Sequence, residues 1–160
     1  MAMDMFIKID ALKGESNDKT HKGEIDVLAW NWGAANAGSA HVGGGAGSGK
    51  ASVQDLSFTK YLDKSTPDLF LSCCNGKHWD TATLVVRKAG ETPLEYLKIT
   101  MSEVLVTSVS QGGSGGEDRL TESVTLNFAS FKMDYVEQTA KGGTGDKPSM
   151  NWNIVENSKD

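Results

Sequence analysis

The chain is built from short runs in which apolar and polar residues alternate, and glycine, proline or asparagine interrupts them every few positions. A period of two over a handful of residues marks a strand with one buried face, and turn residues at this frequency leave no room for long helices. In residues 3–10, Met5, Ile7 and Ile9 fall on one face, with Asp4, Lys8 and Asp10 on the other. Residues 24–32 set Ile25, Val27, Ala29 and Asn31 against Leu28, Trp30 and Trp32, so this strand is expected to be covered on both sides. Further short strands are expected at 51–60, 81–88, 94–101, 104–110, 120–128, 131–136 and 151–155. Thr92-Pro93 and residues 112–116 read as hairpin connections, which makes the neighbouring strands antiparallel. The pattern predicts an all-β fold, a small antiparallel barrel or sandwich.

A single helix signal stands out. Thr66 is a candidate N-cap, Pro67 suits the first helical position, and Asp68 suits the positive end of the helix dipole. Residues 69–74 are largely apolar, and Asn75-Gly76 can close the helix in a left-handed conformation. A helix of two to three turns is expected to plug one open side of the barrel, with Cys73 and Cys74 buried on it as small hydrophobes. Residues 34–49 contain only Gly, Ala, Ser, Asn, His and Val. They offer nothing large enough for a core, so a mobile loop or flexible hairpin arm is expected there.

The 160 residues suit one domain spanning 1–160. A net charge of -5, with its lysines and arginines scattered, excludes a nucleic-acid partner, because binding phosphates requires a basic face. No stretch reaches the ~18 consecutive apolar residues of a membrane span. The start of the chain shows no positive region followed by an apolar stretch, so no signal peptide is expected. The adjacent Cys73 and Cys74 cannot bridge each other without strain, which fits synthesis in a reducing compartment.

Several motifs suggest chemistry and then fail on their surroundings. Residues 44–50 fit the start of a phosphate-binding loop, but Ala51 stands where a magnesium-holding Ser or Thr is needed, and a strand follows instead of a helix. Ser114 in GGSGG resembles a nucleophile elbow, yet a strand follows it and all three histidines, His21, His41 and His78, precede it. Cys73, Cys74 and His78 lack zinc-ligand spacing and a fourth ligand. Glu117, Asp118 and Glu122 read as a solvated or interfacial charge cluster rather than a general acid and base. Trp30 and Trp32 are read as core or subunit contacts, with stacking on a sugar or base as the other use of such a pair. No catalytic set, metal site or cofactor is therefore expected.

Two longer segments are more specific: residues 50–70 (KASVQDLSFTKYLDKSTPDLF) and 111–128 (QGGSGGEDRLTESVTLNF). With MDMFIK at 3–8, GESNDKTHKGEIDVLAWNWG at 14–33, the glycine-rich 43–49 and WNI at 152–154, they resemble the haemolysin-coregulated protein (Hcp) family in order and spacing. That family forms the inner tube of bacterial type VI secretion systems. The resemblance implies an all-β barrel with one short helix, assembled as a hexameric ring that stacks into a tube. It further implies a spike protein at the tip, a contractile sheath and baseplate around the tube, and small effector proteins carried in the lumen. The chain would assemble in the cytoplasm and then be secreted through the system. On this reading Gly43, Gly44, Gly45 and Gly47, with Glu117, Asp118 and Arg119, are candidates for ring or stacking contacts, and Asn31 for the lumen. A monomeric β-barrel module binding a carbohydrate or small molecule through Trp30 and Trp32 is the alternative. A small hydrolase using Ser114 or the acidic cluster is the third class.

Overall fold

The computed structural model describes residues 3–36, 50–90 and 92–159. Along the chain the elements are β1 (Met3–Ile9), β2 (Ile25–Asp26), β3 (Ala29–Asn31), β4 (Ala34–Ala35), β5 (Ser52–Val53), β6 (Leu56–Tyr61), α1 (Thr66–Asn75), β7 (His78–Lys88), β8 (Leu94–Gly112), β9 (Thr121–Tyr135) and β10 (Ser149–Asn153). Eight strands form one antiparallel sheet in the order β2-β1-β7-β8-β9-β6-β3, with β10 also paired to β9. The β7–β8 and β8–β9 connections are the two hairpins read from the sequence.

The sheet curls until its two ends nearly meet. Its outermost strands, β2 and β3, are consecutive in the chain, and the two residues between them face opposite ends of the sheet. Val27 donates its N–H to the Met5 carbonyl at 2.9 Å, while Leu28 donates to the Thr59 carbonyl at 2.8 Å. Residues 24–32 are therefore not one strand covered on both sides. They form two short strands joined by a change of partner, and the change leaves Leu28 41% exposed.

Alternation along the strands supplies the core. In β6, Leu56 and Phe58 point inward between half-buried Ser57 and Thr59, and in β9, Val124 and Leu126 do the same between Ser123, Thr125 and Asn127. Ile7, Ile9, Leu84, Ile99, Met101 and Val104 meet them from the other strands, and all six are fully buried. The expected strand pairs 94–101 with 104–110 and 120–128 with 131–136 are each one long strand. Pairing runs unbroken in direction from Ser102↔Ser130 to Val104↔Phe128. Glu103, at a φ of 55°, and a register shift between Val106 and Ser108 let these long strands bend instead of ending.

The helix begins one residue earlier than its sequence signal. Ser65 occupies the N-cap, and the Thr66 hydroxyl accepts the Asp63 N–H at 3.0 Å. Gly76, at a φ of 68°, closes the helix by donating to the Ser72 carbonyl. Leu69 is the helix's anchor in the core, with Cys73 packed partly against it. Cys74 is exposed, which corrects the expectation of two buried cysteines. A short helix turns one narrow stripe to the core, and the next residue along falls outside it.

Candidate functional site

Strands β3, β6, β9 and the second half of β8 form a four-stranded segment with two unlike faces. Two rows of residues cross its outer face: Asn31, Ser57, Thr125 and Ser108 in one, and Ala29, Thr59, Ser123 and Ser110 in the other. The Ser57 and Thr125 hydroxyls lie 3.0 Å apart, and those of Thr59 and Ser123 lie 3.4 Å apart. Cross-strand hydroxyl pairs of this kind stabilise a sheet while keeping its surface polar. Asp55 extends the polar surface by accepting from Thr107 Oγ1 at 3.2 Å and Asn127 Nδ2 at 2.8 Å. Both lateral edges of this segment lack a strand partner among the described residues. Strand β3 pairs with β6 alone, and β8 beyond Leu105 pairs with β9 alone, because β7 stops at His78. Unpaired strand edges leave backbone N–H and C=O groups on which another chain can pair.

The candidate residues fall in separate places. Asn31 sits on the hydroxyl face, exposed, at the open β3 edge. Gly43, Gly44, Gly45 and Gly47 lie outside the described residues, as does His41. Ser114 is in the β8–β9 turn, where its carbonyl accepts the Glu117 N–H, and the chain continues into a strand as expected. Glu117 and Asp118 are exposed on that turn, whereas Arg119 folds back with its guanidinium 4.0 Å from the centre of the Tyr61 ring. Glu122 leaves the acidic cluster altogether: it is 1% exposed, with Lys60 Nζ 3.4 Å away and the Thr66 hydroxyl donating to it at 2.8 Å. That corrects its reading as a solvated or interfacial charge.

Trp30 and Trp32 lie on the other side of β3 from Asn31, beside an apolar cavity of about 440 Å³ that Leu97, Ile99, Phe131, Met133 and Met150 also line. Trp32 meets Phe131 edge-on at 4.8 Å and donates its indole N–H to the Gln54 carbonyl at 2.8 Å. Rings held in this way are wall rather than an open stacking platform. Among the described residues, no three His, Cys, Asp or Glu side chains gather where they could hold a metal.

Ionic groups far apart in the sequence gather around the connection 13–23. Asp18 takes two hydrogen bonds from the Arg87 guanidinium, at 2.6 and 3.0 Å, and Arg87 also reaches Asp4 at 3.0 Å. The Arg87 bonds hold the Asp18 carboxyl well below the usual carboxylate range, and Arg87 is correspondingly raised. Nearby, Asp26 shifts the other way: sheltering of its carboxyl raises it, and the negative charge of Asp63 adds to the effect. Spacing alone could not find these pairs, because Asp18 and Arg87 are 69 positions apart. The hydroxyl face was legible, since Ser57, Thr59, Ser123 and Thr125 alternate with apolar residues.

A family model described as "Type VI secretion system effector, Hcp" matches residues 6–135. The chain belongs to the Hcp family. Protein hcp1 of Pseudomonas aeruginosa is 62% identical over 159 residues, covering 98% of both chains. The crystal structure of Hcp1 from Salmonella typhimurium superposes with a TM-score of 0.81 at 38% identity and full coverage of both chains. A structure titled as that of a type six secretion system protein reaches 0.92 at 30% identity, covering 99% of this chain and all of the other. The protein is therefore a type VI secretion tube protein, a structural component of a secreted family, and the binding-module reading gives way to this one. Among the described residues, no helix of this Hcp chain is long and apolar enough to cross a membrane.

Proposed function

We propose that the chain closes into a hexameric ring by edge-to-edge pairing of the four-stranded segment, and that the rings stack into the secretion tube. The observation that carries this is the combination of one hydroxyl-rich outer face with an open edge on each side. The β8 edge of one copy meets a different surface, the β3 edge, on the next. Such a heterologous contact repeats until it closes. The hydroxyl face then lines the lumen, where small effector proteins travel, and Asn31 contacts them at the seam between subunits. The spike sits at the tube's tip, the sheath and baseplate surround and seed it, and the ring is made in the cytoplasm before export. Arg119, held on Tyr61 beside the β8–β9 turn, contributes to the contacts of a ring or its stacked neighbour.

Asn31→Gln separates lumen from ring. It is expected to reduce co-purification of at least one small effector while the mass of the assembly stays unchanged, and retention of every effector would contradict the assignment. Arg119→Glu is expected to lower the ring or stacked population in sedimentation while circular dichroism shows an intact fold. A fully assembled, stacking variant would mean that this charge is only solvated.

A further inference from the structure

The connection 13–23 reads KGESNDKTHKG and holds no apolar residue, yet Ser16 is 3% exposed and His21 7% exposed. Hydrophobic burial cannot have placed it. Charged and polar contacts do, and they come from several strands. Asp18 is gripped in two-pronged fashion by Arg87 of β7, which also holds Asp4 of β1. His21 has a carboxylate at each ring nitrogen: Glu24 at 3.0 Å from Nδ1 and Glu95 of β8 at 2.5 Å from Nε2. Glu15 accepts the Lys64 N–H at 2.7 Å on the approach to the helix. The His21 ring stacks on Phe6 with centroids 4.5 Å apart, and Phe6 is the register partner of Asp26 in β2.

The same connection lies flat against the segment that closes the barrel. Ser16 donates to the Glu24 carbonyl at 2.9 Å, and Gly14 donates to the Gly23 carbonyl at 2.8 Å. A Cβ at Gly14 would come within 2.5 Å of the Glu24 carbonyl oxygen and 2.9 Å of Ile25 Cα. Only a glycine fits so close an approach of two backbones. Residues 24–31 themselves make few ladder bonds, because each end pairs for only two or three residues.

We infer that residues 13–23 are an ionic clasp that fastens the barrel-closing segment 24–31 to strands β1, β7 and β8 and to the chain just after β6, and thereby presents the β3 edge to the next subunit. The second half of this statement rests on the proposed ring. The clasp is a positioning device: none of its charges needs to touch the neighbouring copy.

The test uses the full chain in four forms: wild type, Asp18→Asn, Glu95→Gln and the pair combined, with Lys22→Ala as a control on the same connection. Amide hydrogen exchange is followed by peptide, and mass by sedimentation at one protein concentration. Loss of a hydrogen bond to a charged group should speed exchange across 14–31 by about tenfold or more. Peptides of β7, β8 and β9 should keep their protection, and the ring fraction should fall in the same order as the exchange rises. Unchanged exchange across 24–31 in the combined variant would overturn the clasp. Faster exchange with an undiminished ring would overturn its link to assembly. A monomeric wild type would refute the ring reading itself, and the exchange data would still decide the clasp.

Discussion

Lys60 places an ammonium where no surface is exposed, 3.0 Å from Asp63 Oδ1 and 3.4 Å from Glu122 Oε1. Removing one member of a buried ion set strands the others, so Lys60→Met should destabilise the monomer by about 3–5 kcal/mol in urea unfolding. The sequence contains the clue to this pair. Glu122 shares its strand face with Val124 and Leu126, and so does Lys60 with Leu56 and Phe58, so period-two counting puts both charges on the inner side. What pattern cannot supply is the partner: only pairing of β6 with β9 sets Lys60 opposite Glu122. Asp26 yields a prediction with the opposite sign. Its carboxyl is raised from an ordinary value of 3.8, so the folded state holds the proton more tightly than the unfolded state and ionisation opposes folding. The penalty sets in as pH rises through that range and persists at neutral pH. Asp26→Asn should therefore raise the urea midpoint at about pH 7, with the gain disappearing near pH 3. Asp18 behaves conversely: its lowered carboxyl contributes stability above the usual carboxylate range, and that contribution is lost as acid protonates it.

Among the elements, the helix followed its local signals most closely, since Pro67, Asp68 and Gly76 all act within one turn of where they stand. Gly76 has open space around its Cα but a φ of 68°, so the cost of Gly76→Ala is conformational rather than steric. It should be about 1–2 kcal/mol, read as a lower thermal midpoint with an unchanged spectrum. The strands were legible in type but not in length. Ser102-Glu103 and Ala129-Ser130 interrupt the apolar alternation and read as breaks, yet they face each other across β8 and β9 and mark one shared bend. A bend and a turn use the same polar residues, and only cross-strand register tells them apart. The segment 24–32 misled for a related reason. Its alternation is continuous, whereas its hydrogen bonds change partner between Val27 and Leu28. That change of partner, invisible to periodicity, is what turns a sheet into a barrel.

At the scale of the whole molecule, the barrel accounts for most of what the chain can do alone, and its surface accounts for the rest. A hydroxyl face flanked by two open edges is a poor design for a solitary protein, which would expose unpaired backbone to any passing strand. It suits the proposed subunit, whose neighbours would cover both edges and whose outer face would line the lumen. Family membership was legible in the long segments 50–70 and 111–128, while the edges proposed for assembly emerged only once strand order put β3 and β8 at opposite sides of one segment. Solution mass by light scattering on the purified chain, at tens of micromolar and without added ligand, decides whether the ring forms. The expected result is a species of about six times the 17.1 kDa chain, or stacks of such rings. A monodisperse particle of the mass of one chain would contradict it.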